Sequence, residues 1–193
     1  QDSLEHALES FSGIKTEVTG AGRTDSGVHA LSMAAHFELE SEQFSIETIK
    51  KAMNYHLGKQ PITVLEVMPI DQSFHARFSA INRKYLYRIL NRARPPALDI
   101  GRVWFVPRRL NEIAMQKAAA VLIGKHDFTS FRAKHCQALS PEKTIGDITV
   151  NRIEDEIQIF AEAKSFLHHQ GRNIVGTLKL VGAGTWPGRD VTR

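Results

Sequence analysis

The sequence predicts an α+β fold whose sheet is mixed or antiparallel. Two observations carry this. Helical and alternating apolar patterns intermix along all 193 residues. The strand-like stretches also fall into hairpins, not into the strand–helix–strand repeats of a doubly wound parallel fold. The length suffices for one large domain or two small ones.

The elements follow in order. Leu4, Ala7, Leu8 and Phe11 recur at helical spacing, which predicts a helix over 2–12, capped by Ser3 and ended by Gly13. A strand is expected at 14–19, leading into a glycine-rich loop. A second is expected at 30–39, where Met33, Ala35 and Phe37 alternate. Ser45 caps a helix running to Leu57, with Ile46, Ile49 and Met53 inward. Another strand is expected at 62–68. Residues 81–90 alternate clearly, with Ile81, Arg83, Tyr85, Tyr87 and Ile89 on one face. Pro95 and Pro96 mark a turn or linker, and 103–106 is strand-like. Asn111 caps a helix through Ile123, ended by Gly124. Residues 143–163 read as a hairpin turning at Glu154-Asp155-Glu156, and 165–182 as a helix. The best boundary is 92–96, giving an N-terminal half over 1–93 and a C-terminal half over 94–193.

Composition is that of a soluble globular protein. The single cysteine, Cys136, excludes an internal disulfide and suits a reducing compartment. No apolar run is long enough to span a bilayer and no signal-peptide pattern opens the chain, so a cytoplasmic protein is expected. Net charge is only +4, but it is uneven. From Arg77 to Arg109 there are nine Arg or Lys residues, opposed by Asp99 alone. Such a concentration points to a polyanion, most commonly nucleic acid. The plainer alternative is a solvated basic surface.

Four segments carry candidate chemistry. Gly20-Ala21-Gly22-Arg23-Thr24-Asp25-Ser26-Gly27 starts like a dinucleotide fingerprint but has Asp where the third Gly belongs, and it lacks the Gly-Lys-Ser/Thr of a P-loop. A central carboxylate would repel phosphate, so the loop reads as one that presents Asp25 with Arg23 beside it. A tight turn with a solvated Asp is the alternative. Phe74-His75-Ala76-Arg77-Phe78 and Arg83-Lys84-Tyr85-Leu86-Tyr87-Arg88 interleave basic and aromatic residues on a strand, which suits phosphate contact and base stacking. Packed tyrosines with snorkelling arginines would read the same way. Gly124 to Arg132 is a weaker signal, a polar and aromatic loop after a helix. Finally, Ser165, His169, Arg172 and Gly176 share one side of a helical wheel, opposite Leu167, Ile174 and Leu178. His168 and His169 lack a ligand partner at helical spacing, which argues against zinc.

In this order and spacing the four resemble the bacterial tRNA pseudouridine synthase A family. The resemblance rests on Gly22-Arg23-Thr24-Asp25-Ser26-Gly27-Val28-His29-Ala30, on Phe74 to Ala80, on Lys84-Tyr85-Leu86-Tyr87-Arg88, on His126 to Arg132, and on Ser165-Phe166-Leu167-His168-His169 followed by Arg172-Asn173-Ile174-Val175-Gly176. It covers essentially the whole chain. It implies the pseudouridine synthase fold, with two α/β halves around a basic cleft, and a homodimer. It implies isomerisation of uridine to pseudouridine at positions 38–40 of the tRNA anticodon arm, without metal or organic cofactor. Asp25 is then the catalytic carboxylate, Tyr85 packs on the target base, Arg172 pairs with Asp25, and Arg23 contacts RNA. Arg77, His169 and Arg132 are further substrate contacts.

The chemistry requires an ionised Asp25, whether it attacks a ring or sugar carbon or removes a sugar proton. The base must also leave its stack, which an aromatic partner helps to offset. The family's usual first strand and closing segment are not in this sequence, and Ser26 and Gly171 stand where Ala and Val are usual. Gly171 is expected near the apolar side of the last helix, where it would leave a small void. Two other readings compete: a non-catalytic tRNA-binding module or chaperone on the same fold, and an unrelated carboxylate enzyme such as a glycosidase. The latter would need a second carboxylate, for which only Asp127 is a weak candidate.

Overall fold

The computed structural model describes residues 1–39, 43–134, 136, 138–188 and 191. The chain forms two compact units, Gln1–Ala80 and Ile81–Arg193. Together they contain helices and a mixed sheet, the α+β class expected.

The first unit packs two helices, α1 (Asp2–Ser12) and α2 (Ile46–Leu57). Helix α1 starts two residues earlier than an N-cap at Ser3 would give, with Gln1 as N-cap instead. The Gln1 carbonyl accepts from the Leu4 and Glu5 N–H groups, and its side chain donates to Glu5 Oε1 at 2.8 Å. Gly13 closes the helix in the left-handed region at φ 73°. Ser45 caps α2 as expected, accepting from the Thr48 N–H at 3.2 Å. Leu8, Val18 and Met53 form the small core, flanked by Phe11, Ile49 and Val64.

The strands expected here are much shorter than their apolar patterns. Only β1 (Thr19–Gly20) and β2 (Ala35–His36) pair, antiparallel, with Thr19 opposite His36. Leu31 is 88% exposed and Met33 is also exposed, so of the alternating residues at 30–39 only the far end, from Phe37, packs against the core. The 62–68 stretch forms no strand either. There the Asn54 side chain stands in for a neighbouring strand: its Oδ1 accepts from the Val64 N–H and its Nδ2 donates to the Val64 carbonyl, both at 2.9 Å.

The second unit is a five-stranded sheet with helices on one face. Its strands are β3 (Arg83–Leu90), β4 (Trp104–Phe105), β5 (Gly124–Asp127), β6 (Glu142–Ile153) and β7 (Glu156–Ala163), in spatial order β4-β3-β7-β6-β5. Only β3 and β4 are parallel. The β6–β7 hairpin turns at Glu154-Asp155 as expected, with Glu154 at φ 52°. Register aligns Ile89 with Ile157, Tyr87 with Ile159 and Tyr85 with Ala161. That places Ile89, Ile157, Ile159, Ile148 and Val150 on one face. Helices α3 (Glu112–Ala120) and α4 (Gln170–Gly182) bury this face with Met115, Ala119, Ile174 and Leu178.

Polar side chains complete the backbone pairing. Beyond β5 the edge of β6 is covered by Gln116, whose Oε1 accepts from the Val150 N–H at 2.6 Å. Buried Asn91 follows β3 and uses its whole amide. It donates to the carbonyls of Val106 and Arg108, and accepts from the Leu110 N–H and from Arg152. This one side chain ties the chain before α3 to the end of β3.

Two helix expectations change at their ends. Helix α3 stops at Ala120, and Gly124 opens β5 at φ 104° instead of ending the helix. Helix α4 begins at Gln170, not at 165. Gln170 is fully buried, and its Oε1 accepts from the Leu167 N–H at 2.7 Å. This contact holds 167–170 in a turn, with His169 at φ 62° as N-cap. Gly171 is half-buried with open space beside it: a Cβ there would meet no atom within 4 Å. Gly182 is the crowded glycine. A Cβ on it would lie 2.6 Å from Met115 Sδ and 3.3 Å from Leu110 Cβ. Glycine is thus what lets α4 approach α3 so closely. We expect Gly182→Ala to destabilise the protein by about 1–3 kcal/mol through overpacking, read from the urea midpoint.

The opposite sheet face is polar and ion-paired. Arg88 grips Glu156 with two parallel hydrogen bonds, at 2.9 and 2.5 Å, and reaches Asp99 at 3.2 Å. Lys84 pairs with Glu162 at 3.0 Å, and Arg92 with Asp155 at 3.4 Å. The Arg88 hydrogen bonds hold the Glu156 carboxyl below its ordinary range, against the upward pull of burial. A depressed carboxyl stabilises the fold above its unfolded value, and that contribution fades as pH falls through the folded value. Replacing Glu156 by Gln should therefore cost about 1–3 kcal/mol at neutral pH. The difference from the parent should shrink on acidification below about pH 4.5, as denaturation series at several pH values would show.

Candidate functional site

Asp25 lies in the N-terminal unit, on the loop that joins β1 to β2. The Ala21 N–H donates to the Ala34 carbonyl at 2.8 Å, which extends the hairpin base by one rung. At the tip, the Val28 N–H donates to the Asp25 carbonyl at 3.1 Å, closing a four-residue turn. Gly27 sits third in that turn at φ 81°, the conformation a type II turn demands there. Gly22 is not among the positive-φ residues, so Gly27 alone supplies the special backbone in this stretch. Asp25 is half-buried and Arg23 is exposed. Thus a short hairpin presents a carboxylate from a turn whose shape one glycine fixes.

Arg77 lies in the same unit, but not on a strand. Residues 74–79 form turns. The His75 carbonyl accepts from the Ser79 N–H at 2.8 Å, and His75 Nδ1 accepts from the Arg77 N–H at 3.2 Å. The basic and aromatic interleaving of 74–78 is therefore arranged by a histidine-centred turn, unlike that of 83–88.

Tyr85, Arg132, His169 and Arg172 belong to the C-terminal unit. Tyr85 is on β3, on the same face as buried Ile89, but is 44% exposed. Burial rises along the strand, so the tyrosine sits where the core gives out. Its ring meets Phe166 edge-on, with centroids 5.1 Å apart and planes at 84°. His168 and His169 stack at 3.8 Å. Because 165–169 is not helical, the wheel that grouped Ser165 and His169 with Arg172 does not apply. Arg172 is instead an exposed residue of the first turn of α4. Asn173 anchors that turn, donating to the Phe131 carbonyl at 2.9 Å.

Arg132 tethers Cys136 and Ala138. Its Nη2 donates to the carbonyls of Cys136 and Ala138, both at 2.7 Å. The chain here also meets the histidine pair: the Ala133 N–H donates to the His168 carbonyl and the His168 N–H to Cys136 Sγ. Burial pushes the Cys136 thiol up, but hydrogen bonds from the Ala138 and His168 N–H groups and from Arg132 outweigh it, leaving the thiol below its ordinary value. Asp127, the weak second carboxylate, is occupied by accepting from Thr129, at 2.8 Å from its N–H and 2.6 Å from its hydroxyl.

Phe166, Cys136, His36 and Gln170 carry no individual site role in the sequence pattern, whereas His75 lies within the Phe74–Phe78 motif. Phe166 was visible as an aromatic in the last motif. Cys136, His36 and Gln170 have no periodic or compositional signal.

The sequence matches a known group. The chain matches the family described as tRNA pseudouridine synthase over residues 1–79 and 118–193, and it belongs to that family. Among similar curated proteins is the tRNA pseudouridine synthase A of Rhodospirillum rubrum, 55% identical over 186 residues. That match covers 96% of this chain and 66% of the relative. The protein of the same name from Rhodospirillum centenum is 52% identical, over 100% of this chain and 78% of its own length. That from Paramagnetospirillum magneticum is 49% identical, over 100% and 75%. Among the described residues, no helix is long and apolar enough to cross a membrane.

The Arg132 contacts are testable apart from any activity. Arg132→Gln removes one of the groups that lower the Cys136 thiol. The pH at which alkylation of Cys136 reaches half its maximal rate should therefore move upward. An unchanged profile would remove Arg132 from the thiol's environment.

Proposed function

We propose that this chain isomerises uridine to pseudouridine at positions 38–40 of the tRNA anticodon stem-loop, with Asp25 as the catalytic carboxylate. The observation that carries this is the placement of Asp25. It is the half-buried acid of a closed, glycine-fixed loop, inside a segment that matches the family. The glycosidic C1′–N1 bond breaks, the uracil turns, C5 bonds to C1′, and the C5 proton is released. Ionised Asp25 supplies the electron pair that makes the first step possible. Tyr85 packs against the displaced uracil, as its exposure at the end of the core permits. Arg23, Arg77, Arg132, His169 and Arg172 contact the tRNA. Phosphate contacts of this kind make affinity fall with salt. The working enzyme is a cytoplasmic homodimer.

Release of tritium from tRNA labelled at uracil C5 tests the assignment. Asp25→Ala should lower release by more than about a thousandfold while tRNA is still bound. Release by the variant at the parent's rate would remove Asp25 from the chemistry. Binding without release by either protein would instead mark a non-catalytic tRNA-binding module.

A further inference from the structure

The 74–79 turn carries a feature that the catalytic assignment does not use. His36, His75 and Phe78 form a row of rings within the N-terminal unit. His36 and His75 have centroids 4.9 Å apart, and His75 lies 4.3 Å from Phe78 at an interplanar angle of 35°. The row is fixed by hydrogen bonds. His36 Nδ1 accepts from the Ala76 N–H at 3.1 Å, and His75 Nδ1 accepts from the N–H groups of Arg77 and Phe78. Ala76, between these contacts, is buried. Phe78 ends the row and is 74% exposed. The Arg77 guanidinium stands 5.9 Å from its ring centroid.

Singly exposed apolar side chains are ordinary on a folded protein, and Phe78 is set apart by its surroundings, not by its exposure. Here backbone N–H groups hold the two histidine rings behind it, and the Arg77 guanidinium stands near its face. A flat ring backed by another ring, with an adjacent guanidinium, suits a ligand that has both a flat face and a negative charge. An unpaired nucleotide has both: the base stacks and its phosphate meets the cation. A helical or strand peptide would use a wider apolar groove.

We infer that Phe78 is a stacking platform for an unpaired nucleobase of the tRNA, with Arg77 for the adjoining phosphate and His36 and His75 as positioning residues. This rests on the proposed tRNA-modifying function and adds a second contact point, on the same unit as Asp25 but outside its loop. The platform lends affinity and placement, and the row continues His36–His75–Phe78–base.

The test is tRNA affinity at several salt concentrations for the full chain and its variants. Phe78→Ala should bind about tenfold more weakly, Phe78→Leu nearly as weakly, and Phe78→Trp close to the parent. Because stacking releases no counterions, Phe78→Ala should keep the parent's dependence of log affinity on log salt. Arg77→Gln should reduce that slope by about one. Unchanged circular dichroism separates these effects from misfolding. Affinity of Phe78→Ala within about twofold of the parent overturns the platform. So does Phe78→Leu matching Phe78→Trp, which marks a general apolar contact such as a protein partner makes. If Asp25→Ala abolishes tritium release while Phe78→Ala binds normally, the platform alone fails. If the parent neither binds nor modifies tRNA, both readings fail.

Discussion

The antiparallel register of β3 against β7 is the constraint on which the C-terminal unit depends. It sets Ile89 on Ile157 and Tyr87 on Ile159, and so decides which side of the sheet α3 and α4 can bury. It also decides that Tyr85 shares that side. A slip of one residue would turn Tyr85 to the polar face and bring Lys84, Leu86 and Arg88 under the helices. Burying Arg88 there would strand its guanidinium without Glu156. Register is therefore specified twice, by apolar burial on one face and by ion pairing on the other. The candidate base-contact residue inherits its position from both.

The N-terminal unit solves a different problem. It needs little sheet to present Asp25. Two paired residues on each strand, one extra rung from Ala21 to Ala34 and a four-residue turn suffice. A small hairpin of this kind is marginal alone. What supports it is the adjoining helical pair, whose core includes Val18 just before β1 and Phe37 just after β2. The carboxylate is thus placed by packing at the base of the loop and by the Gly27 turn at its tip.

The sequence disclosed elements whose cause is local and hid those whose cause is distant. Gly13, Ser45, Asn111 and the Glu154-Asp155 turn each act within a few residues, and each could be read directly. The strand expected at 62–68 failed because Asn54, outside the pattern, takes both polar groups of Val64. The helix expected from 165 failed because a buried Gln170 bonds back to Leu167, a contact no hydrophobic period reveals. At the candidate site, Asp25, Arg23 and Tyr85 stood out by residue type within motifs. His36 did not, since what ties it to the 74–79 turn is a hydrogen bond across 40 residues, from the Ala76 N–H.

Charge shows the same limit in its sharpest form. Along the chain, residues 77–109 read as nine cations against one acid. In the fold, Glu156 reaches Arg88 from 68 residues away, Asp155 reaches Arg92, and Glu162 reaches Lys84. These acids all lie on or beside β7, the strand that neighbours β3. Part of the apparent basic patch is therefore internal bookkeeping of the sheet, stabilising its open face and not facing a polyanion. A nucleic acid would feel what remains after these pairs are formed. On the proposed function, attraction to tRNA then depends less on the density of cations along β3 than on the cations that these acids do not neutralise. Salt sensitivity should track those positions, because only a cation that meets phosphate displaces counterions.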